Sequence, residues 1–515
     1  MNKTSKRRAP TPEYVSEKQL VLSGFETPFS QTLDKSNRWV QLADKIPWDD
    51  LAGLYYKRYA PKATGRPPLN PRIVIGALII KHMCNLDDRE TIAQITENIY
   101  MQYFLGYSAL IDHPPFDPSL FVEIRKRLGD DLLGEMNLRI LEIAKVDEGN
   151  KGAENPRADD GGDHDSAEGC THKGELLMDA TVAPQDIAYP TDLNLLNRAR
   201  EITEKIIDAL HVRGDKKPRT YRKVARKAYL KVAQNRNPSK KAIRKGVGQQ
   251  LRYVGRNLKH IDVLLDSYDH FPLSHKKQRQ LWVVHTLYEQ QHQMFKAGET
   301  RIADRIVSIH EPHVRPIMRG KARAKTEFGS KIHLSLVDGY AYLDTLCWDA
   351  FHEGNGLSAY VAKYKQRFGF YPEKVLVDKL YCTRANRKWL KEKGVKLSAK
   401  PLGRPSARAV EDHVRPGERN PIEGKFGQAK NGYGMNRIRA RLKQTSQSWI
   451  ASIILVLNLV KLAGEAPLCL SFSALQARIL TILTAIYGYY GKRKGINIPQ
   501  GAFRARFLAL KTPGF

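Results

Sequence analysis

The sequence has little cysteine, and its few cysteines are scattered. They include no C-x-x-C pair, which argues against a disulfide scaffold and a zinc ribbon and fits a reducing compartment. The basic residues 1–10 are not followed by the apolar segment of a secretory signal, and no apolar run reaches the roughly 20 residues of a membrane-spanning helix. We therefore expect a cytoplasmic protein with no membrane role. The five cysteines are Cys84, Cys170, Cys347, Cys382 and Cys469.

Acidic residues are also scarce relative to basic ones. The 515-residue chain has 85 Lys and Arg against 54 Asp and Glu, a net charge of +31. Such an excess indicates a polyanionic partner, with nucleic acid before an acidic membrane. Hydrophobic residues make up 42% of the chain, enough for a sizeable core, which excludes a fully disordered protein.

Half of the excess charge lies in one segment. Residues 211–260 contain seventeen Lys and Arg and a single acid, Asp215. Apolar residues recur there at helical intervals, which predicts basic helices broken near Pro238 and at Gly246. A solvated charged face is the alternative, but a run of nearly one sign repels itself without a counter-charge. We therefore predict DNA contacts in this segment, in particular from Arg222, Lys223, Arg226 and Lys227.

Composition and pattern divide the chain into five parts. An acidic stretch rich in Gly and Asn separates a helical region from a region of mixed strands and helices, which predicts a flexible linker between two domains. We expect a basic tail (1–37), a helical domain (38–145), the linker (146–172), a mixed α/β domain (173–465) with a basic helical insertion (190–304), and a C-terminal helix with a basic tail (466–515).

Two strong helix starts lie in the helical domain. Asn70-Pro71 precedes an apolar segment, and Asp117-Pro118 combines a capping side chain with a proline at the first helical position. Several short helices that end in a basic one are compatible with a helix-turn-helix DNA reader, and equally with a plain helical bundle. On the first interpretation, the basic helix would contact DNA through Arg125 and Arg127.

The mixed domain shows clear strand signals. Residues 175–182 form an apolar strand interrupted by Asp179, and two β-rich segments, 328–337 and 340–348, meet at Asp338-Gly339, a hairpin signal. Helices are predicted at 356–369 and 383–393, short strands at 374–377 and 395–399, and a buried helix at 449–462. This order predicts a mixed sheet with helices packed against it.

Three acids stand out by position: Asp179 in the first strand, Asp378 at the end of a later strand, and Glu423 at the start of a helix. Carboxylates at strand ends are costly to bury unless they are paired or bind metal. Each acid alone is more readily structural: a solvent-facing strand end, a helix cap, or half of a surface ion pair. Together they suit two Mg²⁺ or Mn²⁺ ions that activate a hydroxyl and stabilise a leaving oxygen.

Basic residues accompany the glutamate. Arg419 precedes Glu423 by four residues and Lys430 follows it by seven, so one helix face would carry all three, with Arg437 continuing the stripe. A carboxylate flanked by cations suits a phosphodiester substrate, in which the acid faces the ion and the cations face phosphates. We therefore expect Arg419, Lys430 and Arg437 to contact DNA.

The order of Asp179, Asp378 and Glu423, with the R-x3-E-x6-K helix, resembles the DDE transposases of bacterial insertion sequences. The resemblance covers about residues 40–465 and includes Asn70-Pro71 and the phrase at residues 319–321. It implies an RNase H-like catalytic domain, Mg²⁺ dependence, cleavage at element ends and strand transfer into target DNA. The family signature has a Tyr three residues before the Arg, where this chain has Pro416.

These observations predict a DNA transposase of a mobile element. It would bind terminal inverted repeats and target DNA as a homo-oligomer in a synaptic complex, within the nucleoid. Two alternatives are a structure-selective RNase H-like nuclease or resolvase, which cleaves without joining, and an inactive DNA-binding regulator.

Overall fold

A computed structural model of the chain describes residues 33–59, 68–152, 172–212, 216–318, 326–399 and 417–464. Within these ranges, helices alone precede the first strand, as the sequence predicts. They are α1 (Arg38–Lys45), α2 (Trp48–Arg58), α3 (Pro71–Met83), α4 (Asp88–Glu97), α5 (Ile99–Phe104), α6 (Phe121–Arg127) and α7 (Asp130–Gly152).

Both predicted helix starts are confirmed. The Asn70 side chain accepts a hydrogen bond from the N–H of Arg72 at 2.9 Å and caps α3. Asp117 accepts one from Ser119 at 2.8 Å and caps the 3-10 turn that leads into α6. These caps satisfy N–H groups that a helix leaves without partners in its first turn.

The acidic linker begins later than predicted, because α7 continues to Gly152. Residues 146–152 were expected to be irregular from their Gly and Asn content, but they extend the helix that starts at Asp130. The remainder of the predicted linker up to residue 171, the tail up to residue 32 and the C-terminal segment from residue 466 lie outside the described residues.

A mixed sheet forms the centre of the described structure, which confirms the predicted α/β class. β3 pairs antiparallel with β1, β2 and β4, whereas β1, β5 and β6 are parallel neighbours. All the predicted strands are present, and one short strand, β2, was not predicted. The strands are β1 (Glu175–Pro184), β2 (Arg315–Met318), β3 (Thr326–Val337), β4 (Tyr340–Cys347), β5 (Lys374–Leu376) and β6 (Lys396–Ser398).

The β3–β4 hairpin turns at the predicted dipeptide. Asp338 and Gly339 have φ values of 50° and 75°, so both residues adopt the left-handed conformation. A two-residue turn of this kind matches the twist of the flanking strands, and it is the reason why an Asp-Gly pair is a reliable hairpin signal.

The basic insertion is helical, as predicted, with its own apolar core. Gly246 does not break a helix, contrary to the prediction. It lies within the third of the four helices, where an added Cβ would lie 3.2 Å from Val232 and 3.3 Å from Leu193. The glycine thus allows neighbouring helices to approach closely. The four helices are α8 (Asp192–Leu210), α9 (Arg222–Ala233), α10 (Lys240–Leu265) and α11 (His275–Ala297).

The last helices complete the sheet layers and include the predicted buried helix. They are α12 (Leu357–Phe368), α13 (Arg384–Glu392), α14 (Asn420–Gly427) and α15 (Lys443–Leu462). By length and composition α15 could cross a membrane, but 83% of its apolar window is buried inside the protein. It packs against α3, α6, α7 and β4, so the helical region and one face of the sheet share a single apolar core.

Candidate active site

Asp179 lies in the interior of β1, as the sequence predicts, and the strand continues beyond its predicted end at residue 182 to Pro184. Its side chain is 19% exposed, and it accepts a hydrogen bond from the N–H of Ala180 at 2.8 Å. A carboxylate in the interior of a central strand is unusual, since the sheet surroundings remove most of its hydration.

Asp378 follows β5, the parallel neighbour of β1. Leu177 pairs with Leu376 across the two strands, so Asp179 and Asp378 each come two residues after this pair. The register therefore places the two acids level with each other. Asp378 also caps a 3-10 turn at Lys379–Tyr381 by accepting the N–H of Lys379 at 2.7 Å, so the structural role that we considered for it coexists with its place at the site.

Arg419 joins the two aspartates. One guanidinium nitrogen lies 3.1 Å from Asp179 Oδ2, and another lies 3.5 Å from Asp378 Oδ1. Arg419 precedes α14 as its N-cap residue, so these contacts fix the helix start over the middle of β1 and the end of β5. Two carboxylates that share one cation are a suitable donor set for a divalent ion, which prefers such oxygen ligands.

Glu423 lies one helical turn beyond Arg419 and is exposed. Among the described residues, no group of three His, Cys, Asp or Glu side chains is close enough to hold a metal ion. The structure thus brings Asp179 and Asp378 together around Arg419, and it leaves Glu423 exposed on α14.

The pKa of Asp179 reflects its burial and the charged groups around it. Burial raises the pKa of the Asp179 carboxyl above its usual value. The N–H of Ala180 and the Arg419 guanidinium lower that pKa, whereas the carboxylates of Glu353 and Asp378 raise it further. The Arg419 guanidinium therefore opposes the effect of burial on the pKa of Asp179.

Glu353 and Tyr381 adjoin the site, and the sequence did not identify either one. Tyr381 lies three residues after Asp378 and is completely buried, and burial raises the pKa of its hydroxyl, with smaller contributions from Glu353 and Asp179. Its spacing from Asp378 was a signal that could have been used. Glu353 precedes Asp378 by twenty-five positions in an irregular segment, without a motif or period to mark it.

Lys430 reaches the same face of β1. Its Nζ donates to Thr181 Oγ1 at 2.9 Å, and Thr181 lies two residues after Asp179, which places both side chains on one side of the strand. The predicted stripe ends at Gly432, where a π-helical segment closes the helix. Arg437 lies beyond this end and pairs with Asp186 at 2.9 Å, so it does not continue the stripe as predicted.

The predicted DNA contacts in the insertion lie on α9. Lys223, Arg226 and Lys227 are exposed there. Arg222 at the helix start is partly committed, because it pairs with Asp208 at 2.6 Å. Three of the four cations are thus available at a surface where a phosphate could reach them.

The two arginines of α6 have different environments. Arg127 is exposed, but Arg125 is buried and donates to both carboxylate oxygens of Asp88, at 2.8 and 2.9 Å. Lys81 contacts the same carboxylate at 2.9 Å. This corrects the prediction that Arg125 contacts DNA, since its guanidinium holds α6 against α4. Pro416 and residues 319–321 lie outside the described part of the chain.

Comparison with known proteins yields two family models. A model described as the transposase DDE domain matches residues 375–460, which include Asp378, Arg419 and Glu423, and a model described as a transposase domain (DUF772) matches residues 27–127. The chain is also 28% identical over 196 residues to "Uncharacterized protein ORF8 in nfe locus" of Rhizobium meliloti, which corresponds to 38% of this chain and 82% of that protein. No solved structure matches the chain.

Proposed function

We propose that this chain cleaves the ends of its element and joins them to target DNA. Two transposase family models confirm its resemblance to the DDE transposases of insertion sequences. The single observation that carries the proposal is the level placement of Asp179 and Asp378 on adjacent parallel strands, with one shared cation, Arg419, between them. We further propose that the mixed sheet is an RNase H-like catalytic domain.

We propose Asp179, Asp378 and Glu423 as the carboxylates that would hold Mg²⁺ or Mn²⁺. Such ions, when bound, activate an attacking hydroxyl and stabilise the leaving oxygen of a phosphodiester. Asp179 and Asp378 fit this role because their oxygens already share one positive group. Glu423 is the exposed member of the set and lies on the helix that Arg419 begins.

Arg419 and Lys430 would hold the DNA backbone. Arg419 would present a planar pair of N–H donors to a phosphate, which suits bidentate binding. Lys430 reaches Thr181 on the same strand face as Asp179, so a phosphate near that acid would lie within its range. The exposed cations of α9 would add phosphate contacts away from the chemistry.

The test is Mg²⁺-dependent cleavage of supercoiled DNA that carries the inverted repeats flanking the gene. We expect the wild type to cleave at the repeat ends and Asp179→Asn, Asp378→Asn and Glu423→Gln each to abolish cleavage while DNA binding persists. Asp349→Asn is the matched control, because Asp349 is 74% exposed and its carboxylate lies 3.8 Å from Arg315.

The outcomes separate the proposed function from its alternatives. Cleavage without joining to a target indicates a nuclease or resolvase. DNA binding without cleavage by the wild type indicates a regulator. Cleavage that survives all three substitutions would refute the choice of acids. Sedimentation of the protein with paired repeat ends tests the proposed homo-oligomeric synaptic complex.

A further inference from the structure

We propose that Arg219, Tyr221 and Arg256 form a binding site for the phosphate backbone of duplex DNA, in which the Tyr221 ring holds the two guanidinium groups in place. Tyr221 is the N-cap residue of α9, Arg219 lies two residues before it, and Arg256 lies on α10. The inference rests on the proposed function, because it assigns further residues of the basic insertion to the same DNA interface. None of the three is among the DNA contacts that the sequence predicts.

The Tyr221 ring contacts both arginines. The guanidinium carbon of Arg219 lies 4.5 Å from the ring centroid and that of Arg256 lies 4.4 Å from it, both within the roughly 6 Å range of a cation–π contact. Arg256 also lies 5.3 Å from the ring centroid of Tyr253, one turn earlier on α10. An aromatic ring restricts the positions of the guanidinium groups without using their N–H donors. The fold thus holds two cations at one place and leaves their donors available.

Neither arginine is neutralised by an acid in the described part of the chain. Arg219 and Arg256 form no ion pair there, and Nε and Nη2 of Arg256 have no hydrogen-bond partner among the described residues, although both atoms are buried. The adjacent cations differ, since Lys217 and Arg222 both pair with Asp208 of α8, at 2.5 and 2.6 Å. A charged donor that is removed from water and lacks an acceptor is unfavourable, so the two arginines mark a place for an anion.

The backbone of Tyr221 is strained. Its φ is 54°, in the left-handed region that a bulky residue rarely adopts. Such strain persists only where the surroundings fix it, and it is concentrated at functional sites. Burial in the core does not account for this conformation, because Tyr221 is 38% exposed. The contacts of its ring with two guanidinium groups provide a reason for a tyrosine at this position.

The site lies on a basic surface formed by two helices. The contacts of α9 with α10 proceed in opposite chain directions, since Tyr221 meets Arg256 and the Ala225 carbonyl accepts a hydrogen bond from Gln250 at 3.1 Å. Two exposed cations of α10 lie one turn to either side of Arg256 and thus on its face of the helix, namely Arg252 and Lys259.

The charge of this surface fits DNA of any sequence. From residue 216 to residue 261 the chain contains no acid. A surface of one sign matches the phosphate backbone of DNA, and contacts to phosphates carry no sequence information. We therefore expect Arg219 and Arg256 to contribute equally to the binding of element ends and of other DNA.

The experiment measures the binding of the full-length protein to two fluorescently labelled duplexes by anisotropy, over a range of salt concentrations and without Mg²⁺. One duplex carries the inverted repeat that flanks the gene, and the other has the same bases in shuffled order. We expect Arg219→Gln and Arg256→Gln each to weaken binding to both duplexes about 10-fold. The slope of log K against log salt concentration should fall in magnitude by about 0.9 in each variant. The matched control is Arg139→Gln, because Arg139 is paired with Asp50 and Glu142, both at 3.2 Å.

Two substitutions of Tyr221 test its role as a positioning residue. Tyr221→Phe keeps the ring, and we expect wild-type binding. Tyr221→Asn removes the ring, and we expect it to lose about as much affinity as each arginine variant. Asparagine tolerates the left-handed backbone conformation, so the midpoint of urea unfolding should not fall in Tyr221→Asn.

Each outcome decides one part of the proposal. Wild-type affinity and slope in Arg219→Gln, Arg256→Gln and Tyr221→Asn would overturn the site and leave the proposed function intact. A loss of affinity confined to the repeat duplex would overturn binding through the backbone alone. Equal losses in Tyr221→Phe and Tyr221→Asn would overturn positioning by the ring. If the wild type binds neither duplex, the proposed function itself fails.

Discussion

Replacement of Arg419 by glutamine tests whether this residue occupies the place of a metal ion. In the wild type, Arg419 contacts Asp179 at 3.1 Å and Asp378 at 3.5 Å. Arg419→Gln keeps a polar side chain with N–H donors, although a shorter one, and leaves the two carboxylates without their shared cation. We expect the metal-free variant to be less stable than the wild type, and to gain more stability from Mn²⁺.

The size of the loss follows from burial. Breaking a fully buried ion pair costs about 3–5 kcal/mol, and an exposed pair contributes about 0–1 kcal/mol. The side chains of Arg419 and Asp179 are each 19% exposed, closer to the buried limit, whereas Asp378 is 49% exposed and adds little. We therefore expect the free energy of unfolding to fall by about 2 kcal/mol at neutral pH.

The loss should depend on pH in a defined direction. Burial raises the pKa of Asp179, and Arg419 lowers it, so the substitution raises that pKa further. The folded variant then retains a proton that the unfolded chain releases, and its stability falls as the pH rises through the raised pKa. The deficit relative to the wild type should therefore be larger at neutral pH than in acid, because protonation of Asp179 removes the negative charge that Arg419 neutralises.

Metal should reverse the deficit. Without the guanidinium, the two aspartates attract a divalent ion more strongly, and a ligand at about 100 times its Kd adds about 2.7 kcal/mol. Urea unfolding with and without Mn²⁺ measures both effects, and Arg437→Gln is the control, since its pair with Asp186 is exposed. Equal stabilisation of Arg419→Gln and the wild type by Mn²⁺ would refute the idea that Arg419 occupies the cation position.

Three further predictions concern other parts of the molecule. Asn458→Leu should lower the free energy of unfolding by about 3 kcal/mol, measured by urea unfolding. The Asn458 amide makes hydrogen bonds of 2.7–2.9 Å to Ala341 and Asn137, and their loss leaves buried groups unpaired. An unchanged urea midpoint would contradict this prediction. Burial raises the pKa of Glu311 to about 7. The free energy of unfolding of the wild type should therefore fall by up to about 3 kcal/mol as the pH rises from about 4.5 to 7, and Glu311→Gln should remove that pH dependence. A pH dependence that persists in the variant would assign it to another group. Alanine at the predicted exposed cations of α9 should reduce the salt dependence of DNA binding. The slope of log K against log salt concentration should fall by about 0.9 per lost phosphate contact, and an unchanged slope would exclude α9 from the interface. Arg125→Ala should lower stability instead, because Arg125 pairs with Asp88. The α9 cations to be replaced are Lys223, Arg226 and Lys227.

The elements of the fold were largely predictable because their signals are local. The Asp338-Gly339 turn, the Asn70 and Asp117 caps and the length of the apolar run in α15 each depend on residues within one or two turns of one another. Local signals also failed where packing overrides them. Gly246 lies inside a helix because two neighbouring side chains need its space, and α7 continues through residues that alone favour irregular structure.

The sequence by itself determined the basic character of the chain, its mixed α/β class and the aspartates at the centre of the candidate site. Only the tertiary structure decided which charges meet: Arg419 between Asp179 and Asp378, and Arg125 buried against Asp88. The physical reason is that strand order and register bring together residues distant in the chain. Periodicity, by contrast, reports only which face of its own element a residue occupies.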